Sequence, residues 1–280
     1  MFFRGEELKI IGEDDAVFNS VDGIENLMSF LRNNNKLEES QIVEILGGKL
    51  PEDISVNYSE GLILYGRNNK PIKAKTPTQL KLIKAVKEND IIIAIGPAGT
   101  GKTYTSVALA VRALKNKEIK KIILTRPAVE AGENLGFLPG DMREKIDPYL
   151  RPLYDALDDM IPAEKMNFYI ERKIIEIAPL AFMRGRTLDD AYVILDEAQN
   201  CSNLQLKMFL TRMGPNAKFI VNGDLTQIDL PGTQKSGLLR ATKILKNIKG
   251  ITILEFDVKD VTRHRIVKEI INAYSKKETE

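Results

Sequence analysis

The chain has 280 residues, an ordinary apolar content of 43%, and 41 Lys/Arg against 39 Asp/Glu, a net charge of +2. That balance fits a globular protein with room for one large α/β domain and a smaller appendage, and excludes a chain drawn as a whole onto nucleic acid. A single cysteine, Cys201, excludes an internal disulfide and a thiolate zinc site, a single histidine, His264, leaves a serine–histidine triad only that residue to use, and no apolar stretch approaches membrane-spanning length.

Residues 1–60 are acidic, with five Lys/Arg against thirteen Asp/Glu, a net of about −8. The first residues carry acids and no long apolar core, so a secretory signal is not expected and the cytoplasm is the expected compartment. Residues 22–32 and 40–46 read as short amphipathic helices, the second ended by Gly47-Gly48. Residues 54–58 and 61–65 alternate like the two arms of a β-hairpin. The sign of the charge then flips: Arg67, Lys70, Lys73 and Lys75 stand with no acid between residues 61 and 75. Residues 1–75 are therefore expected to form a small α+β module ending in a basic linker. The module either binds RNA or serves as a packing or oligomerisation appendage; no GXXG loop or aromatic RNP pattern is visible in it.

Thr76-Pro77-Thr78-Gln79 opens the main domain, expected over residues 76–275, with either threonine able to cap the helix that carries residues 79–87. Gln79 either offers its amide to an adenine edge or is a surface glutamine on a capped helix. Next comes Ile91-Ile-Ile-Ala-Ile, a β-branched run that reads as a buried parallel strand. It leads into Gly96-Pro97-Ala98-Gly99-Thr100-Gly101-Lys102-Thr103, which fits the phosphate-loop pattern GxxxxGK[ST] at every defined position. A helix-forming stretch over 104–115 comes after it, as the motif requires. The glycines let main-chain N–H groups turn inward around an anionic oxygen, and the helix N-terminus adds partial positive charge at the same point. Residues 96–103 with Tyr104 are thus expected to hold ATP. Lys102 is expected to reach the β- and γ-phosphates, and the Thr103 hydroxyl to bind Mg²⁺.

Further apolar runs recur at 121–124, 174–177, 191–195, 218–221 and 251–256, separated by helical or loop-rich sequence. That alternation predicts a parallel sheet with helices on both faces, a RecA-like P-loop NTPase fold. Residues 127–162 hold Gly132, Gly136, Pro139, Gly140, Pro148 and Pro152 and read as a long functional loop. The run at 191–195 ends in Asp196-Glu197. Two acids at one strand end make sense with separate tasks, Asp196 holding Mg²⁺ through water and Glu197 orienting or deprotonating an attacking water. A phosphotransferase has no use for the second acid, so the pair points to hydrolysis. The run at 218–221 leads to Asn222-Gly223-Asp224, and Gln227 beyond it can sense whether the γ-phosphate is present. Asp224 reads as a cap for the segment after it. The last residues, 276–280, are expected to fray.

These segments together resemble the PhoH-like ATPases, relatives of the first motor domain of superfamily 1 helicases. The resemblance covers about residues 60–275. It rests on 96–103, on Thr125-Arg-Pro-Ala-Val-Glu-Ala-Gly-Glu-Asn-Leu-Gly-Phe-Leu-Pro-Gly140, on 147–156 and 178–187, on Asp196-Glu-Ala-Gln199, on Gly223-Asp-x-x-Gln-Ile-Asp-Leu-Pro231 and on Arg263-His264. Asn222 stands where the family usually has Thr, and Arg265 where it commonly has Pro; residues 1–60 match the family's appendage poorly. The resemblance implies an RNA-linked ATPase acting in RNA remodelling or ribosome and RNA maturation, assembled into rings, with hexamers expected. A ribonuclease or ribosome-maturation factor is an implied partner, and Gln79 is implied to contact adenine.

A superfamily 1 motor places ATP between two such domains, and the second supplies an arginine worth about 10³–10⁵ in rate in other P-loop enzymes. This chain has sequence for one, so a neighbour or the chain's own C-terminal tail must supply that arginine. Arg263 is the first candidate, then Arg184 and Arg186. For RNA, the candidates are Thr125-Arg126-Pro127 against a phosphate backbone, Arg143, Lys145 and Arg151, and a helix carrying Arg240, Lys243, Lys246 and Lys249, which otherwise is a solvated face over Leu239, Ile244, Leu245 and Ile248. Tyr149 and Tyr154 either stack bases or anchor the loop. Two other readings stay open: a nucleotide-gated binding module controlling a partner such as a ribonuclease, and a small-molecule phosphotransferase.

Overall fold

The computed structural model describes residues 61–127, 142–231 and 234–262, together with short segments between residues 2 and 42 and residues 266–267. The chain divides into two units, Met1–Glu60 and Gly61–Glu280. In the first, β1 (Phe2–Arg4) pairs antiparallel with β2 (Glu7–Lys9). The described residues between 17 and 31 are helical, starting five residues ahead of the helix expected at 22–32, and Ile42 is helical within the stretch expected at 40–46. Residues 54–58, the expected hairpin arm, lie outside the described residues.

The second unit begins with a hairpin that differs from the expected one. β3 (Leu62–Tyr65) pairs with β4 (Pro71–Lys73), across a turn in which Asn68 takes the left-handed conformation that short polar side chains tolerate. The stretch expected as a basic linker is therefore built into this unit. Its basic side chains point outward while Ile63, Leu64 and Ile72 enter the main core at 1%, 4% and 4% exposure. Alternation placed the charges and the aliphatics on opposite faces, and only the charges were conspicuous.

Thr76 accepts the Gln79 N–H as the N-cap of α1 (Pro77–Glu88). Each apolar run then becomes a strand, most plainly at residues 91–95 and 191–195, where five consecutive apolar residues have no polar face to present to water. In order these are β5 (Ile91–Ile95), β6 (Lys121–Arg126), β7 (Ile175–Pro179), β8 (Ala191–Leu195), β9 (Lys218–Gly223) and β10 (Ile251–Glu255). They form one six-stranded sheet in the order β10-β5-β9-β8-β6-β7 with every pairing parallel. The helices between them are α2 (Lys102–Lys115), α3 (Met142–Asp158), α4 (Ala163–Glu171), α5 (Asn203–Leu210) and α6 (Gly237–Leu245). Alternate residues of β5 serve alternate faces. Ile92 and Ala94 pack with Leu82, Val107, Leu153 and Met166 of α1–α4, while Ile91, Ile93 and Ile95 pack with Leu206, Phe209 and Leu238 of α5 and α6. This is the expected P-loop NTPase fold.

Two expectations are corrected. Half of the supposed loop at 127–162 is helix: α3 runs through Pro148 and Pro152, and residues 128–141 lie outside the described residues. Leu150, Leu153 and Leu157 are buried at helical spacing and hold it on the sheet against the loss of two main-chain donors. On α6 the inward residues are Leu238 and Ala241, with Leu245 packed against them. Leu239, Ile244 and nearby Ile248, expected as core, are 48%, 61% and 48% exposed. Cys201 is buried, and burial pushes its thiol up to about 12, so it is no nucleophile. Among the described residues, no helix is long and apolar enough to cross a membrane.

Compared with a chain that starts at Gly61, one that starts at Thr76 loses four buried aliphatics, Leu62, Ile63, Leu64 and Ile72, worth about 1.5–3 kcal/mol each, and urea unfolding should show a correspondingly lower midpoint.

Candidate functional site

Parallel pairing in one register brings the sequence motifs to a common edge. Ile95 is level with Gly223, and Leu195 is level with Thr125 and Val221. The residues that leave these strands, Gly96, Asp196, Arg126 and Asp224, therefore emerge together at the carboxyl end of the sheet, where open parallel sheets bind ligands. A cavity of about 540 Å³ opens there, lined by Ala98, Gly99, Gly101, Lys102, Thr103, Tyr104, Arg126, Asp196, Glu197, Asp224 and Gln227 and, from α3 and just beyond it, by Pro152, Asp155, Ala156 and Asp159.

The loop over 96–101 has the tight turns its glycines predict. Gly96 lies so close to Phe256 that a Cβ would stand 2.4 Å from that residue's carbonyl oxygen, and Gly101 is left-handed at φ +79°. Thr100 is fully buried and donates its hydroxyl to Pro97 O at 2.9 Å. Lys102 is 7% exposed and turns its ammonium back on the loop, donating to Gly96 O at 2.6 Å and Pro97 O at 2.9 Å. Burial lowers its pKa from the ordinary lysine value, opposed by Asp224, Asp196 and Glu197. A buried ammonium needs acceptors, and here they are neutral carbonyls that an anionic oxygen can replace. Asp224, 4% exposed, already supplies an anionic acceptor to the loop: its Oδ2 takes the Ala98 N–H at 2.9 Å, and its Oδ1 takes the Thr226 N–H and hydroxyl.

At the end of β8, Thr103 donates its hydroxyl to Asp196 Oδ1 at 2.6 Å. Asp196 is 4% exposed. Burial and the neighbouring Glu197 push its carboxyl above the ordinary value, while Thr103, Arg126 and Lys102 pull the other way. A hydroxyl and a buried carboxylate side by side make a hard oxygen pair that fits Mg²⁺, which keeps most of its water and takes few protein ligands. Among the described residues no three His, Cys, Asp or Glu side chains converge on a metal site. Glu197 adopts left-handed backbone, φ +53° and ψ +40°. Its Oε1 accepts from Arg126 Nη2 and its Oε2 from Gln199 Nε2, both at 2.6 Å.

The remaining expected residues divide between the cavity wall and its scaffold. Gln227 is exposed and lines the cavity. Tyr104 also lines it and donates its hydroxyl to Asp159 at 3.2 Å; burial, then Asp159, push the phenol up to about 12, so it remains a donor. Gln79 differs from expectation. It is 4% exposed, its Oε1 accepts the Lys75 N–H and its Nε2 donates to Thr100 O at 2.8 Å. The amide that was to read adenine braces the phosphate loop from behind, with one N–H left over. Arg126, expected against RNA, is turned inward. Arg186 is held by both oxygens of Glu176 at 2.6 and 2.7 Å, whereas Arg184 is exposed. Arg263 and His264 lie outside the described residues; one residue earlier, the Thr262 N–H donates to Gly99 O at 3.0 Å. Sequence reasoning missed the Asp224 brace, the inward Arg126 and the α3 wall, although Arg126 stands at a strand end, as Asp196 does.

The sequence profile of the family described as PhoH-like protein matches residues 71–275. A PhoH-like protein of Bacillus subtilis is 51% identical over 277 residues, 98% of this chain and 86% of the relative. A PhoH-like protein of Mycobacterium tuberculosis (strain H37Rv) is 56% identical over 217 residues, 78% of this chain and 62% of the relative. The chain belongs to the PhoH-like family. Among solved structures, the UvsW helicase of bacteriophage T4 is 14% identical with a TM-score of 0.43, over 83% of this chain and 77% of that one; so distant a likeness says nothing about activity.

In this PhoH-like protein Asn222, 1% exposed, accepts from the Ser106 hydroxyl through Oδ1, while its Nδ2 is buried with no partner among the described residues. A threonine there keeps an acceptor and puts one rotatable hydroxyl in place of an amide with two N–H groups to satisfy. Asn222→Thr is therefore expected to raise stability by about 1 kcal/mol, read from chemical denaturation. Asp224→Ala releases the Ala98 N–H and the turn beyond β9. It is expected to weaken binding of a fluorescent ATP analogue by about tenfold, the equivalent of one lost charge-assisted hydrogen bond, with the unfolding midpoint falling in parallel.

Proposed function

We propose that this protein is a Mg²⁺-dependent ATPase that works in the cytoplasm on RNA. The observation that carries the hydrolytic reading is the pair at the end of β8, Asp196 beside Thr103 and Glu197 held at both oxygens, facing the same cavity as Lys102. The loop amides and Lys102 bind the β- and γ-phosphates, the ammonium exchanging two carbonyls for anionic oxygens. Thr103 and Asp196 hold Mg²⁺, which when bound neutralises phosphate charge. Glu197 accepts a proton from the attacking water and orients it toward the γ-phosphorus, and Gln227 contacts the γ-phosphate from the other wall. In this reading Tyr104 contributes to the nucleotide pocket, and Gln79 acts on the nucleotide through the loop it braces.

We assign the missing positive charge opposite the γ-phosphate to Arg263, of this chain or a neighbour. Thr262 hydrogen-bonded to Gly99 supports that choice, since the chain passes the phosphate loop one residue earlier. Assembly into a ring, with six subunits the expected number, is supported by the exposed Leu239, Ile244 and Ile248 beside Arg240 and Lys243. RNA is the proposed substrate of the motor, and a ribonuclease or ribosome-maturation factor its proposed partner.

The test is ATP turnover measured across protein concentrations, with and without single-stranded RNA. Lys102→Ala and Glu197→Gln are each expected to abolish turnover, with Glu197→Gln still binding ATP. The specific rate is expected to rise with concentration and with RNA. Unchanged turnover in Glu197→Gln removes the hydrolytic assignment; a slow rate indifferent to RNA, with partner affinity tracking the nucleotide, converts the motor into a switch.

A further inference from the structure

Arg126 has the chemistry of a bridge. Its guanidinium is planar, with donors fixed in a fork, and its side chain is only 19% exposed. One arm, Nη2, donates to Glu197 Oε1 at 2.6 Å; the other, Nη1, donates to the main-chain carbonyl of Tyr149 in α3 at 2.7 Å; Nε lies 3.9 Å from Asp196 Oδ2. One side chain thus spans the ends of β6 and β8 and a helix that forms the opposite wall of the cavity.

Both ends need it. Glu197 is a long side chain on left-handed backbone, a conformation that costs roughly 1–3 kcal/mol and persists only where neighbours over-determine it. Its carboxylate is 33% exposed, and without fixed donors it would sample several rotamers. At the other end, α3 carries Pro148 and Pro152, neither with an N–H to give, so its hydrogen-bond ladder is broken on both sides of Tyr149. A helix interrupted there is held by what it touches.

We propose that Arg126 is the positioning residue for Glu197 and mechanically links that carboxylate to helix α3. Any ligand or subunit that shifts α3 thereby shifts the orientation of Glu197 without touching it. The water-orienting role of Glu197 rests on the proposed function. The bridge itself does not depend on that role.

The experiment has two arms, both on the full chain. In the kinetic arm, R126A is expected to lower kcat at least tenfold while affinity for a fluorescent ATP analogue stays within threefold. In the E197D background, which keeps a displaced carboxylate and a residual rate, single-turnover measurement should show R126A causing little further loss, because both changes act at one point. Turnover in R126A that is unchanged or faster, or a loss that adds in full to that of E197D, overturns the positioning role. In the second arm, amide hydrogen exchange is followed over residues 142–158. R126A and E197A are both expected to accelerate it, with β5 and β8 unaffected. If E197A leaves α3 at its wild-type rate, the link is wrong. R126Q, which keeps the apolar stem but neither the reach nor the charge, is expected to repeat the pattern should R126A prove unstable. A wild-type chain without ATP turnover would sink the hydrolytic reading of Glu197, and the exchange arm would still decide the bridge.

Discussion

The site exists because four parallel strands end at the same level. Nothing in the phosphate loop, in Asp196-Glu197 or in Gly223-Asp224 brings the three together; they are far apart in sequence and none is long. Alignment of Ile95 with Gly223, and of Leu195 with Thr125 and Val221, does so. A parallel sheet holds that register through buried β-branched side chains on both faces, since a slip of one residue would exchange the two cores. The precision of the chemistry is inherited from packing that never touches a ligand.

Within that frame the dominant electrostatic fact is an excess of acid. Asp155, Asp159, Asp196, Glu197 and Asp224 face one cavity with Lys102 and Arg126. The fold distributes the strain by giving carboxylates separate donors: a hydroxyl for Asp196, a loop amide and Thr226 for Asp224, a tyrosine for Asp159, a guanidinium and an amide for Glu197. Lys102 is held in reserve on two neutral carbonyls. In the proposed reading, divalent cation and triphosphate together would bring opposite charges into that space.

The sequence made the sheet and the phosphate loop legible because their signals are local. A β-branched run, a glycine-rich turn and a helix succeed one another with no long-range information needed, and acids at a strand end announce themselves. What stayed hidden depends on partners far along the chain. Asp224 reads as a local cap, and its bonds to Thr226 bear that out, yet its second oxygen holds Ala98, 126 residues away. Arg126 looked exposed because arginine at a strand end usually is, and only the tertiary structure supplies its acceptors. Gln79 was placed on the right helix, but its buried amide is spent on the loop. Helix α3 was masked by Pro148 and Pro152, which broke the expected pattern while Leu150, Leu153 and Leu157 kept it. The basic hairpin was read by its charges, when its few aliphatics decide where it packs.

Glu197 sits where the backbone would favour glycine or asparagine. The residue proposed to carry the chemistry is also one at which this chain surrenders conformational ease, so glycine there would relax the backbone and at the same stroke strand the largely buried Arg126 without its carboxylate. Selection on this codon therefore weighs two opposed costs, and its drift in a gene freed of one of them would report which is the larger.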